Sequence, residues 1–224
     1  SRTAGETVAG SPYTISAVLS PTGVLANYDI TYNTANFTIT PKLLTVTADA
    51  KSKIYGLPDP ALTYVVTGLV PGDVVSGSLI RLPGENVGSY GITVGTLSAG
   101  SNYTITFVPA DLTINKRAIT IKADNNGKII GDPDPALTYS ITSGSLAYVD
   151  SISGALVRDA GEDIGDYPIR KGTLVINDGN GGLNYELTFV EGVFTIRQML
   201  LTVTANPASK VYGAADPVFT YTAS

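Results

Sequence analysis

Apolar and polar residues alternate along Leu44-Thr45-Val46-Thr47-Ala48, and the same alternation returns at Ile119-Thr120-Ile121-Lys122-Ala123 and at Leu201-Thr202-Val203-Thr204-Ala205. Successive side chains of an extended chain point to opposite faces, so each stretch predicts a strand with one buried and one wet face. Tyr28-Asp29-Ile30-Thr31-Tyr32, Tyr103-Thr104-Ile105-Thr106-Phe107 and Tyr185-Glu186-Leu187-Thr188-Phe189 predict a second set of core strands, with an aromatic residue at both ends of the inward row. Phe37-Thr38-Ile39, Leu112-Thr113-Ile114 and Phe194-Thr195-Ile196 predict a short closing strand, after which the next opening strand follows within a few residues. Only residues 69–77 and 146–152 leave room for a helical turn. Elsewhere the abundance of Gly, Pro, Thr, Val, Ile and Tyr favours strands and turns.

The patterns recur because the chain repeats itself. Tyr55-Gly56-Leu57-Pro58-Asp59-Pro60-Ala61-Leu62-Thr63-Tyr64 returns at residues 130–139 and again at 212–221. Tyr64, Tyr139 and Tyr221 are spaced by 75 and 82 residues, as are Asn27, Asn102 and Asn184. Tyr13, Tyr90 and Tyr167 are spaced by 77 and 77, so the extra length falls at Asp178-Gly179-Asn180-Gly181-Gly182, a longer turn. Self-similarity at this period predicts a tandem array of small modules rather than one large domain. One frame gives the second half of a repeat at 1–41, complete repeats at 42–116 and 117–197, and the first half of a repeat at 198–224. A permuted frame cuts near 1–68, 82–144 and 159–224, and the pattern alone does not choose between them.

The fold class expected is mainly β, in small β-grasp-like modules arranged as an elongated array. An immunoglobulin-like β-sandwich is the alternative, and it ordinarily needs about seven strands and about 100 residues, more than one period supplies. The junctions Thr40-Pro41-Lys42, Asn115-Lys116-Arg117 and Arg197-Gln198-Met199 lack the Gly/Ser composition of a flexible linker, which predicts a semi-rigid connection.

Composition narrows the chemistry. The 224 residues include no Cys and no His, which removes thiolate zinc sites, disulfides, imidazole ligands and the Ser-His-Asp and Cys-His catalytic arrangements. The formal charge of −5 and the absence of a Lys/Arg cluster argue against a nucleic-acid partner. No apolar run reaches the ~20 residues that cross a bilayer, and residues 1–3 read as the middle of a repeat, so leader and anchor are expected in other parts of a longer parent. No catalytic, cofactor-binding or metal-ligating residue is expected, and the chain is not expected to be an enzyme.

Four groups of residues are candidates for a site. Asp132-Pro133-Asp134-Pro135, Pro58-Asp59-Pro60 and Asp216-Pro217 could offer carboxylates to calcium, but proline around Asp already accounts for them as turns that fix an extended approach to the next strand. The loop at 178–182 lacks the acidic twelfth ligand of a helix-loop-helix calcium site and is read as a glycine-rich turn. Glu6, Glu85 and Glu162, each after a glycine, could promote an isopeptide bond between a buried lysine and an asparagine, yet Lys51, Lys53, Lys128 and Lys210 read as surface charge or turn caps. Tyr13, Tyr28, Tyr64, Tyr90, Tyr103, Tyr139, Tyr167, Tyr185 and Tyr221 are expected in the cores, which leaves Tyr32 and Tyr148 as sugar-stacking candidates.

Leu-Thr-Val-Thr-Ala-Asp, Tyr-Gly-x-x-Asp-Pro-x-Leu-Thr-Tyr, Gly-Glu-Asn-Val-Gly-Ser-Tyr and Ser-Asn-Tyr-Thr-Ile-Thr-Phe resemble the MBG-type repeats of large bacterial surface proteins. The resemblance is strongest over 43–114 and looser over 118–196, where Ile130 replaces the tyrosine of the Tyr-Gly pair. It implies a structural stalk or spacer segment of an extracellular adhesin on the bacterial cell surface. The alternative is a multivalent module that binds glycan or matrix protein weakly. The partners expected are neighbouring repeats of the same protein, a further copy joined head to tail through the incomplete terminal repeats, and a host or environmental surface ligand. No membrane insertion is expected of this segment.

Overall fold

The computed structural model describes residues 1–20 and 22–224, with the side chain of Thr22 left aside. The chain divides into two compact units, Ser1–Lys116 and Arg117–Ser224. Both are mainly β, as the alternation predicts. The strands of the first unit are β1 (Tyr13–Ile15), β2 (Ala35–Phe37), β3 (Lys42–Ala48), β4 (Lys51–Ile54), β5 (Tyr64–Thr67), β6 (Ile80–Arg81), β7 (Gly88–Thr93), β8 (Tyr103–Val108) and β9 (Ala110–Asn115). Those of the second are β10 (Arg117–Ala123), β11 (Asn126–Ile129), β12 (Tyr139–Ser143), β13 (Ser151–Ser153), β14 (Val157–Arg158), β15 (Gly165–Arg170), β16 (Val175–Asn177), β17 (Tyr185–Val190), β18 (Gly192–Arg197), β19 (Val203–Ala205) and β20 (Tyr221–Ala223).

In the first unit the complete module is a three-stranded sheet, β5-β3-β8, and a four-stranded sheet, β4-β9-β7-β6. The two are linked by a pair of bent strands. β3 runs parallel to β8 and β4 runs parallel to β9. The partner of each residue lies 61 positions further on both sides of the bend, with Lys42 opposite Tyr103 and Lys51 opposite Leu112. The break between β8 and β9 falls at Pro109, a residue with no N–H to give a ladder. The second unit repeats the plan with sheets β12-β10-β17 and β11-β18-β15-β14 and a constant offset of 68, as in Arg117 with Tyr185 and Asn126 with Phe194. The opening and closing strands of each module are therefore parallel neighbours, and the first module holds seven strands in two sheets, more than one period was expected to supply.

Side-chain alternation builds the cores. Leu44, Val46 and Ala48 of β3 point inward with Ile92 of β7 and Leu112 and Ile114 of β9. In the second unit Ala123, Ile169, Phe194 and Ile196 form a continuous buried cluster, and Ile130, Leu137, Leu156 and Phe189 pack against it.

Three expectations are corrected. Residues 69–77 and 146–152 hold no helical turn. Val70 N–H and Ala147 N–H instead donate to the hydroxyls of Tyr103 (3.0 Å) and Tyr185 (2.7 Å), which donate in turn to Asp73 and Asp150 at 2.5 Å. A tyrosine hydroxyl thus supplies the partner that a helical turn would have supplied. Residues 28–32 are not a strand; a short 3-10 helix, Thr22–Asn27, precedes them. Their expected partner is an opening strand, and the one in this unit, β3, already has both edges taken by β5 and β8. The stretch 201–205 forms only the three-residue β19, which has β20 on one edge and keeps its side chains exposed, so it builds no buried face.

A four-charge cluster as the candidate functional site

The Asp-Pro phrase and the Gly-Glu phrase, which the sequence suggests are separate turns, meet in space. Arg81 closes β6 and stands between them. Its Nε donates to Asp59 Oδ2 at 2.5 Å, Nη2 donates to Asp59 Oδ1 at 3.2 Å and to Glu85 Oε1, and Nη1 donates to the carbonyls of Leu82 (3.0 Å) and Gly84 (2.6 Å). All five guanidinium N–H groups are committed within the module. Lys53 Nζ completes the cluster, 2.6 Å from Glu85 Oε2 and 2.7 Å from Asp59 Oδ1.

The second unit reproduces the cluster atom for atom. Arg158 Nε donates to Asp134 Oδ2 at 2.6 Å, Nη2 to Glu162 Oε1 at 2.6 Å, and Nη1 to the Asp159 and Gly161 carbonyls at 2.9 and 2.7 Å. Lys128 Nζ reaches Asp134 Oδ1 at 2.8 Å and pairs with Glu162. The lysine side chains are only 4% and 5% exposed, so these are interior ions facing carboxylates that keep contact with water. Reading Lys53 and Lys128 as surface charge or turn caps is corrected on this point.

Each arginine also lies over a tyrosine. The guanidinium carbon is 5.4 Å from the ring centre of Tyr90 in one module and of Tyr167 in the other. Phe194 covers Arg158 from a second ring at 4.9 Å, where the first module has Leu112. Cation–ring attraction and burial of the arginine stem hold the fork in place. The glycine before the glutamate follows from this packing. Gly84 has φ +140°, and a Cβ there would stand 2.1 Å from the Tyr90 ring, with the same conflict at Gly161 and Tyr167.

Electrostatics favour the charged forms throughout. Hydrogen bonds from Arg81 and Lys53 bring the Asp59 carboxyl down to about 2, and those from Arg158 and Lys128 do the same for Asp134. Lys53 loses some preference for its charge through burial, but its bonds to Asp59 and Glu85 outweigh this and raise its pKa. Lys128 is raised by Asp134 and Glu162. An isopeptide bond needs a neutral lysine amine, and their carboxylate partners hold Lys53 and Lys128 as ammonium ions. The arrangement is an ion staple between two turns of one module.

The other candidates fall out as follows. Asp178 is buried and accepts backbone N–H bonds from Asn180 (2.8 Å), Gly182 (2.7 Å) and Asn184 (2.9 Å), so its carboxylate organises its own turn. Among the described residues, no group of three or more acidic side chains is gathered closely enough to hold a metal ion. Tyr13 and Tyr185 are buried, and Tyr64, Tyr90, Tyr103, Tyr139 and Tyr167 are half-buried. Tyr28 and Tyr221 are exposed and depart from the core expectation. Tyr32 and Tyr148 are exposed, but Tyr148 has Pro71 at the matching place of the first module, so it is no repeated platform.

The arginine of the cluster also has a sequence signal. Arg2, Arg81 and Arg158 each stand four places before the recurring glutamate, as Arg-x-x-Gly-Glu, and that threefold recurrence is visible in the sequence. A model of the family described as MBG domain (YGX type) matches residues 44–113, 119–195 and 201–224. No curated protein and no solved structure matches the chain. The glycine-bearing phrase that carries Asp59, Asp134 and Asp216 lies within each matched segment, and the chain belongs to the MBG domain family of the YGX type, carried in tandem.

Proposed function

We propose that this segment is a load-bearing stalk or spacer of an extracellular bacterial adhesin, with a mechanical role and no catalytic one. The observation that carries the reading is the parallel pairing of opening and closing strands, β3-β4 with β8-β9 and β10-β11 with β17-β18. Tension enters such a module at the start of its first strand and leaves at the end of its last. Because these strands are parallel neighbours, tension slides one along the other and loads every rung of the ladder together, instead of opening the rungs one at a time. The ion staple ties two further turns across the module. Cell-surface placement rests on the setting that the family resemblance implies.

Small-angle scattering on chains of increasing module number tests the spacer reading. A largest dimension that grows by a constant step per module supports it, and a dimension that barely changes overturns it. Glycan-array signal that strengthens with module number would favour the multivalent binding reading instead.

A further inference from the structure

Residues 1–41 and the complete module 42–116 lie in one compact unit, and the chain between them is anchored on both sides. On the side of the preceding repeat, Ile39 N–H donates to Ser11 Oγ at 2.8 Å. At the entrance to the module, Lys42 N–H donates to the backbone carbonyl of Asn102, also at 2.8 Å. Thr40 and Pro41 stand between those anchors. Proline fixes its own φ and pushes the residue before it towards extended conformations, so the junction is narrowed but still free to pivot.

A second bond to the same asparagine crosses the junction. Val8 N–H donates to Asn102 Oδ1 at 2.9 Å, across 94 positions of chain. The loop that presents Val8 is held by its own repeat. Arg2 Nη1 donates to Gly5 O at 2.6 Å, Thr7 N–H donates to the hydroxyl of the buried Tyr13 at 3.1 Å, and that hydroxyl donates back to Thr7 O at 3.0 Å. Tyr90 and Tyr167 close the matching loops of the complete modules by donating to Asn86 O at 2.7 Å and Asp163 O at 2.9 Å. The asparagine recurs as well. Asn27, Asn102 and Asn184 each precede a tyrosine, and Asn184 O accepts the Arg117 N–H at 3.0 Å, as Asn102 O accepts that of Lys42.

We propose that Asn102 is the pin of this junction. Its carbonyl fixes where the chain enters the module, and its carboxamide holds the Gly-Glu loop of the preceding repeat. A body held at one point can pivot, and a second point sets its direction. Asparagine suits both tasks, since its side-chain oxygen is a neutral acceptor with two lone pairs on a short stem. Swinging the loop away would also strip the half-buried Val8 amide of its acceptor, which opposes the movement. The spacer reading gives such a pin its use, but the pin rests on bonds within one junction, so the two stand or fail separately.

The test uses the 224-residue chain, which has no cysteine of its own, with spin labels at Asn36→Cys and Thr113→Cys, exposed sites on either side of the junction. Electron–electron resonance reads the distribution of distances between the labels. The otherwise unaltered chain is expected to give one narrow distance. Asn102→Ala is expected to broaden the distribution roughly twofold and to speed amide exchange at Val8 by roughly tenfold, with exchange in β3 and β8 unchanged. Val8→Pro, which removes the donor and leaves the module untouched, is expected to broaden it equally, and Asn102→Asp, whose carboxylate still accepts, to keep it narrow. If Asn102→Ala loosens β3 and β8 as well, Val8→Pro decides. A broad distribution in the unaltered chain, a distribution that stays narrow in Val8→Pro, or Asn102→Asp behaving as Asn102→Ala overturns the proposal. Scattering that fails to grow with module number would sink the spacer reading and leave the pin in place.

Discussion

Arg81 and Asp59 are joined by an Nε–Oδ2 bond of 2.5 Å that links two turns separated by 22 residues of chain. Arg81 is nearly buried, and removing it leaves Asp59 and Glu85 facing each other beside a single lysine. Arg81→Met is therefore expected to destabilise the first unit by about 1–3 kcal/mol in chemical denaturation. Arg170→Met, which removes a half-exposed arginine that pairs with Asp159 and Glu191, is expected to leave the unfolding midpoint unchanged. Equal effects from the two variants would reduce the cluster to ordinary surface charge.

Gly84→Ala forces a methyl group into the Tyr90 ring at a backbone angle that side chains rarely adopt. A loss of about 1–3 kcal/mol is expected. Gly23→Ala, whose added carbon meets no atom within 4 Å, serves as the control and should shift the melting temperature little.

Acid sensitivity follows from the carboxylates. Asp59 and Asp134 ionise at about 2 in the folded chain against an ordinary 3.8, so their stabilisation is present above the ordinary value and is lost as pH falls through the folded one. Glu85 and Glu162 shift in the same direction from 4.5. Lys53 and Lys128 are raised above 10.5, so their contribution is complete below that value and fades as pH climbs past it. The melting temperature is expected to be flat between these limits and to fall between pH about 4 and about 2. Asp59→Asn with Asp134→Asn should flatten the acid limb. An unchanged melting temperature across that limb in the parent chain would refute the assignment.

The hydroxyl of Tyr185 replaces a helical turn by bridging Ala147 N–H and Asp150. Tyr185→Phe leaves a buried amide short of its acceptor and is expected to cost about 1–3 kcal/mol, with faster hydrogen exchange at Ala147. Tyr103→Phe, in the more exposed loop of the first unit, should have the smaller effect.

What the sequence made legible was whatever depends on local periodicity. The alternation of Leu44, Val46 and Ala48 foretold a one-faced strand, and the recurrence of the Asp-Pro phrase foretold the modules. The cluster was hidden for two physical reasons. Lys53, Asp59, Arg81 and Glu85 come from segments that the successive β4-β9, β9-β7 and β7-β6 pairings bring together, and charged residues in Gly- and Pro-rich stretches look solvated when read singly. The threefold Arg-x-x-Gly-Glu was the available signal. Residues 28–32 misled in the opposite direction, since their alternation is that of a strand but a strand also needs an edge to pair with.

Single-molecule stretching of the chain by its two ends tests the mechanical role most directly. Shear of β3-β4 against β8-β9 predicts discrete high-force unfolding events, each releasing on the order of 250 Å of chain for a module of 42–115 at about 3.5 Å per residue. Disruption of the parallel ladder by Val46→Pro or Ile121→Pro should remove the event of the affected module. Smooth extension at low force, with no discrete events in the parent chain, would contradict the load-bearing account.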